Sequence, residues 1–396
     1  VTLGDVPSRP VRRALAVAAA MVFVAGAVLL RIVPRPVTLH GPGDLAADIP
    51  KLQAFVERTR GRRFHYQVPI RRSDALKFFN RSDPGDAEKD DEADRQARLE
   101  AGFLLSLGLI DKPFDPDKAK TSLDSEVLGI YDPGKRQLLV RPGPITPYAR
   151  MVLVHELTHA LDDEYHELRR PETFDVDESD MSFRALAEGD AVFVERRYLD
   201  SLPPDERKQI EDIESSAPPP SPDVPDVLRA LAAYPYVVGE KFVTALVDKD
   251  GARAPDKAFD NPPSTSEQVF HPDKYLAGEE GRDVAKPTPD GQDVIERGVL
   301  GELLLLLMLN LRSPDQAAAD QAKAAAAGWG GGRYVAWSNG DDVCVKAKLV
   351  MDTPNDRREA LVGLQRWAVG KPRANVSLAA DAKTIELANC VNVPAV

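Results

Sequence analysis

The hydrophobic pattern opens with an uninterrupted apolar run. Residues 14–30 (ALAVAAAMVFVAGAVLL) carry no charge and no polar face, and Ile32 and Val33 extend the run past Arg31. A helix over these residues spans about 25 Å, close to the hydrocarbon thickness of a bilayer. A soluble amphipathic helix keeps one polar face, and this run has none. Arg9, Arg12 and Arg13 precede it, and Arg31 and Arg35 follow. That bias favours a cytoplasmic N-terminus. The pattern predicts a cytoplasmic tail over 1–13 and a single transmembrane anchor over 14–33. A cleaved signal peptide is the alternative, but no small-x-small site follows the run; triplets such as Ala25-Gly26-Ala27 lie inside it. Either way the remaining chain is expected at the cell membrane on its extracytoplasmic side.

Beyond the anchor the periodicity changes repeatedly. Residues 34–50 (PRPVTLHGPGDLAADIP) read as a Pro/Gly spacer. Helical spacing covers 51–61, strand alternation covers 64–70, and 82–98 is a strongly charged solvated helix or loop. An apolar helix is expected over 101–110. Strands are expected over 128–131 and 137–140, separated by the turn Asp132-Pro133-Gly134-Lys135. Helices follow from 147 and over 181–199, then a proline-rich linker over 202–225, a helix over 227–247 and a loop-rich stretch over 255–291. The run 298–311 (GVLGELLLLLMLNL) is too short to span a bilayer and contains Glu302, so it reads as a buried core helix. A helix over 317–327 ends in Gly328-Trp329-Gly330-Gly331-Gly332, a turn or close-approach loop. From Arg333 the order is strand, turn, strand, helix and a final hairpin. The sum is an α+β domain over 51–396, with a candidate ββα C-terminal subdomain from about 333.

Composition narrows the function. With 43% hydrophobic and 29% charged residues the chain is neither disordered nor a polytopic membrane protein. A net charge of −12 argues against nucleic acid as a partner. Two cysteines exclude a four-cysteine zinc site or an iron–sulfur centre. Outside the cytoplasm Cys344 and Cys390 form either one disulfide or two separate buried thiols.

One motif carries chemistry: His155-Glu156-Leu157-Thr158-His159. Thr146 is placed to cap its helix, with Pro147 in the first turn. Leu153, Leu157, Ala160 and Leu161 form an apolar stripe. His155 and His159, four apart, project from one helical face and can bind one Zn²⁺. Glu156 points beside the metal, where it can act as general base. The alternative is a pair of surface or capping histidines on an ordinary helix.

A catalytic zinc needs a third protein ligand. No Gly-x-x-His follows His159, so the third ligand is expected among the downstream acids Asp162, Asp163, Glu164, Glu167, Asp175, Asp177, Glu178, Asp180, Glu188, Asp190 and Glu195. Glu188 is the choice: it lies in Ala185-Leu186-Ala187-Glu188-Gly189-Asp190-Ala191, whose small residues permit close helix approach. Asp190 and Asp163 are candidates to orient a ligand histidine.

The segment Val154–Ala160 with Asp163 resembles the active-site helix of thermolysin-like gluzincins. The resemblance implies a zincin-like fold, one zinc per chain held by His155, His159 and Glu188, and Glu156 as base. Val192 stands where that family carries an aspartate four residues after the ligand glutamate. Longer stretches are similar to uncharacterised bacterial membrane-anchored proteins predicted to be zinc peptidases: the segment from His155 to Tyr165, the Ala185–Ala191 segment, Ser264-Thr265-Ser266-Glu267-Gln268-Val269-Phe270-His271-Pro272 and the Gly328-Trp329-Gly330 loop. The family also implies a later histidine and tyrosine that bind the oxyanion; His271 and Tyr275 are the candidates, against a reading of His271 as a turn-fixing loop residue. His40, His65 and His166 read as structural or exposed. By analogy, residues 137–140 are expected to be the edge strand that pairs with an extended substrate.

The expected function is therefore a membrane-anchored extracytoplasmic zinc metallopeptidase, a hydrolase with a protein or peptide substrate. Its rivals are a non-catalytic tethered scaffold or binding module on the same fold, and a zinc hydrolase of a non-peptide bond.

Overall fold

The structure, a computed structural model, describes residues 45–73, 91–116, 118–119, 122, 128–169, 178–216, 219–311 and 313–393. The predicted tail and anchor at 1–33 lie outside the described residues, as does the spacer up to residue 44.

The molecule is a mixed α and β structure, as the periodicity predicts. Helix α1 (Leu45–Arg60) leads to β1 (Ile70–Arg72) and α2 (Asp91–Leu107), then to the hairpin β2 (Gly129–Asp132) and β3 (Gln137–Val140). The motif helix α3 (Pro147–His166) and α4 (Glu178–Ser201) follow, then α5 (Pro204–Ser215), α6 (Asp226–Asp250) and the short helices α7 (Ala254–Asp260), α8 (Ser266–Phe270) and α9 (Pro272–Ala277). The C-terminal part holds β4 (Asp293–Gly298), α10 (Glu302–Asn310), α11 (Gln316–Ala327), β5 (Trp329–Asn339), β6 (Asp342–Met351), α12 (Pro354–Ala368), β7 (Asn375–Leu378) and β8 (Ile385–Asn392).

Two sheets flank the helices. The first has the order β1-β3-β2, with β1 parallel and β2 antiparallel to β3. This corrects the expected edge strand: β3 is bonded on both sides, and among the described residues β2 is an outer strand of the sheet. The strand order depends on β1, a partner some seventy residues upstream, and hairpin chemistry alone cannot report it. The second sheet is antiparallel, in the order β4-β5-β6-β8-β7. It recruits β4, a strand that lies before residue 333.

Other boundaries also move. Helix α1 begins inside the predicted spacer, at Leu45, and α5 occupies much of the predicted linker. Ile210 explains the latter: it is fully buried, and Pro204 lies in the first turn, where a missing N–H costs nothing. In the glycine-rich segment Gly328 is a turn residue at the end of α11, and 329–332 already belong to strand β5. A Cβ on Gly332 would lie 2.2 Å from the Leu300 carbonyl oxygen, so the close backbone approach itself is real. Cys344 and Cys390 face each other across β6 and β8 and form a disulfide.

Among the described residues, α6 is long and apolar enough to cross a membrane. Its apolarity serves the core instead. Val227, Leu228, Phe242 and Val243 are buried, and α6 packs along α4. The two backbones nearly touch: a Cβ on Gly239 would lie 2.0 Å from the Ala185 carbonyl oxygen, and one on Gly189 would lie 2.2 Å from Gly239. The small residues around Glu188 therefore serve contact with α6.

Candidate metal centre

Helix α3 begins as its sequence dictates. Thr146 is extended, and its hydroxyl accepts the backbone N–H of Ala149 at 3.1 Å, with Pro147 next in the chain. The helix is then buried nearly all round from Met151 to Asp163. Helices α3 and α4 pack together and bring His155, His159 and Glu188 to one point.

The geometry is tight. His155 Nε2 lies 3.1 Å from Glu188 Oε2, His159 Nε2 lies 3.2 Å from the same oxygen, and the two Nε2 atoms are 3.2 Å apart. Three donor atoms thus form a nearly equilateral triangle. The edge of a tetrahedron with metal–ligand bonds of about 2.0–2.1 Å is about 3.3–3.4 Å. The spacing of the three donor atoms therefore fits three corners of a tetrahedral divalent site.

Electrostatics agree. Burial alone would lower the His159 imidazole, but the Glu188 carboxylate outweighs it and carries the ring up to about 9. Burial pushes Glu188 up, and the two histidines overcome this and hold its carboxyl well below the usual carboxylate range. The pocket favours positive charge.

The other faces of the ligands are also held. His155 Nδ1 lies 3.0 Å from Glu195 Oε2, so Nε2 is the nitrogen that faces Glu188 and His159. The Tyr236 ring of α6 stacks on His155 at 6.0 Å and 12°. Glu156, next to the first ligand and itself buried, accepts the backbone N–H of Tyr131 at 2.7 Å. That N–H belongs to β2, the edge strand.

The residues expected to orient a ligand histidine lie elsewhere. Asp190 Oδ2 lies 2.7 Å from Arg60 Nε. Asp163 accepts the Tyr131 hydroxyl at 2.8 Å and the Leu168 N–H at 2.8 Å, closing the end of α3. The residue facing His155 Nδ1 is Glu195, two turns beyond Glu188 on the same face of α4. The i, i+7 spacing was the available signal.

His271 and Tyr275 have other partners. His271 Nε2 pairs with buried Glu302 at 3.1 Å, and that hydrogen bond raises the imidazole above its ordinary value. The Tyr275 hydroxyl donates to the Asn261 carbonyl at 2.8 Å. Their hydrogen bonds do not join them to the three-ligand cluster. His65 pairs with Glu164, and His166 packs flat on Phe259 between Asp256 and Asp260. His40 lies outside the described residues. A second acidic cluster, Glu267, Glu279 and Asp352, already surrounds a cation: Lys274 Nζ lies 2.6, 2.9 and 2.5 Å from the three carboxylates.

Comparison with known proteins adds one finding. The family model of a domain of unknown function (DUF8575) matches residues 291–388. That span runs from just before β4 into β8 and includes neither the motif helix nor Glu188. Neither a curated protein nor a solved structure matches the chain.

Proposed function

We propose that the protein is a zinc-dependent peptidase, anchored in the membrane through residues 14–33, with its metal centre on the extracytoplasmic side. The observation that carries this reading is the triangle of His155 Nε2, His159 Nε2 and Glu188 Oε2, with edges of 3.1–3.2 Å. The Cys344–Cys390 disulfide supports an oxidising compartment.

When bound, zinc supplies a Lewis acid that polarises a carbonyl and makes water acidic at neutral pH. The chain supplies the rest. Glu195 fixes which nitrogen of His155 faces the ion. Glu156, aimed by the Tyr131 N–H, accepts a proton from the attacking water and returns it to the leaving amine. Strand β2 is the outer strand beside Glu156; its Tyr131 N–H is held by Glu156, and its other outward main-chain groups would face an extended chain. A peptide backbone is the substrate that uses such an edge, which favours peptide over other bonds.

Metal analysis of the purified full chain is expected to find about one zinc per molecule. Glu156→Gln is expected to retain that zinc and to lose hydrolysis of an unfolded protein substrate by about 10²–10⁴-fold. Protein free of zinc, or a Glu156→Gln variant with full activity, refutes the reading.

A further inference from the structure

Arg60 closes helix α1 and is almost completely buried, at 1% exposure. A buried guanidinium is tolerated only where several acceptors surround it. Arg60 has four. Nη1 donates to the Ala252 carbonyl at 2.6 Å, and Nη2 donates to Asp256 Oδ1 at 3.0 Å. Nε lies 2.7 Å from Asp190 Oδ2, and Nη2 lies 3.5 Å from Asp162 Oδ1.

The places of these acceptors in the sequence matter. Asp162 follows His159 by three residues on α3, nearly one turn. Asp190 follows Glu188 by two on α4. One rigid cation therefore touches both ligand-bearing helices just beyond their ligands. Ala252 and Asp256, at the loop after α6 and on α7, hold it from the other side. Arg62 and Arg253 also pair with Asp256, at 2.8 and 3.1 Å, and fix that support.

We propose that Arg60 is a positioning residue for the metal centre: its guanidinium clamps α3 to α4 and sets the separation of His159 from Glu188. This rests on the zinc reading of the three-ligand site. A planar fork can reach carboxylates on two helices at once, whereas a lysine ammonium is a single point of charge on a flexible stem. Ligands held by such outer contacts lose roughly 10–100-fold in metal affinity when the contacts are removed.

The test measures zinc affinity and dissociation rate by chelator competition, well below the melting temperature, on the full chain. Wild type is expected to bind one zinc tightly; if it does not, the zinc reading itself fails. Arg60→Lys is expected to remain folded and to bind zinc at least about tenfold more weakly, with faster release. Leu364→Ala, a core truncation on α12 in the C-terminal unit, is expected to lower the melting temperature and leave zinc affinity unchanged. Should Arg60→Lys fail to fold, Asp162→Ala removes the α3 arm of the clamp and is expected to weaken zinc in the same direction. A folded Arg60→Lys or Asp162→Ala variant with wild-type zinc affinity overturns the proposal. So does a Leu364→Ala variant that loses as much affinity as they do.

Discussion

A neutral imidazole offers a metal one nitrogen, so whatever faces the other nitrogen decides how firmly the ring is aimed. Glu195 has that position at His155. Glu195→Gln keeps the shape and removes the charge, and it is expected to weaken zinc binding by about 10–100-fold. Chelator competition reads the change, and unaltered affinity removes Glu195 from the site. A second residue-scale consequence concerns Glu100 on α2. Burial pushes its carboxyl up to about 7, partly offset by the Gln96 amide at 3.1 Å. The folded chain therefore holds a proton that the unfolded chain releases at lower pH. Stability from this group is present in acid and is lost as pH rises through about 4.5 to 7. Glu100→Gln is expected to stabilise by about 1–3 kcal/mol at pH 8 and to gain nothing at pH 4, as read by denaturant melts. Equal effects at both pH values contradict that account. At this scale the sequence was informative about which three side chains converge and poor about their supports. The i, i+4 histidines and an acid in a helical run suffice to nominate His155, His159 and Glu188. Arg60 carries no local signal, because its partners come from α3, α4, α7 and the loop before α7.

Among the elements, α4 and α6 show why the right residue can be chosen for an incomplete reason. Small residues around Glu188 suggested close approach to the motif helix, but Ala185 and Gly189 face Gly239 of α6. The same helix α6 places Tyr236 against His155. Gly239→Ala puts a methyl group 2.0 Å from a backbone oxygen and must part the helices. A loss of about 1–3 kcal/mol or more in stability is expected, together with weaker zinc binding. Gly143→Ala, where nothing lies within 4 Å, is the control and is expected to be near neutral. Thermal melts of the two variants check this, and equal melting temperatures refute the packing argument. Helix caps, the β2–β3 hairpin and the long helices followed from local pattern, since Thr146, Pro147 and the Asp132–Lys135 turn act through neighbours in sequence. The identity of the edge strand did not, because β1 reaches β3 from a distant segment. Nor did α5, whose burial depends on the tertiary seat of Ile210.

For the whole molecule, a single apolar core joins the motif half to the C-terminal sheet. Helix α2 packs on the C-terminal sheet. The Trp367 indole donates to the Leu107 carbonyl at 2.8 Å, the Asn389 amide donates to the Ser106 carbonyl at 2.8 Å, and Gly102 allows Val343 against the helix. The matched family region thus ends on a surface that α2 covers, while the candidate chemistry lies in the other half. The Cys344–Cys390 bridge closes a 46-residue separation within that sheet. Its removal by paired serine substitution is expected to cost about 2–4 kcal/mol. Fluorescence of Trp337, packed beside Cys344, follows the unfolding of that sheet in urea. Coincident urea transitions with and without the disulfide contradict the expectation. The mixed α and β character was legible from periodicity, and the disulfide was one of two expected states of Cys344 and Cys390. The recruitment of β4 was not, since its strand partner β5 lies beyond two intervening helices.

The central claim is that His155, His159 and Glu188 hold one zinc ion. Anomalous diffraction at the zinc edge, from crystals of the full chain grown with zinc, tests it most directly. The account predicts a single strong peak about 2.0–2.2 Å from His155 Nε2, His159 Nε2 and a Glu188 carboxylate oxygen. Three side chains with no peak between them, or a peak held by other residues, would contradict it.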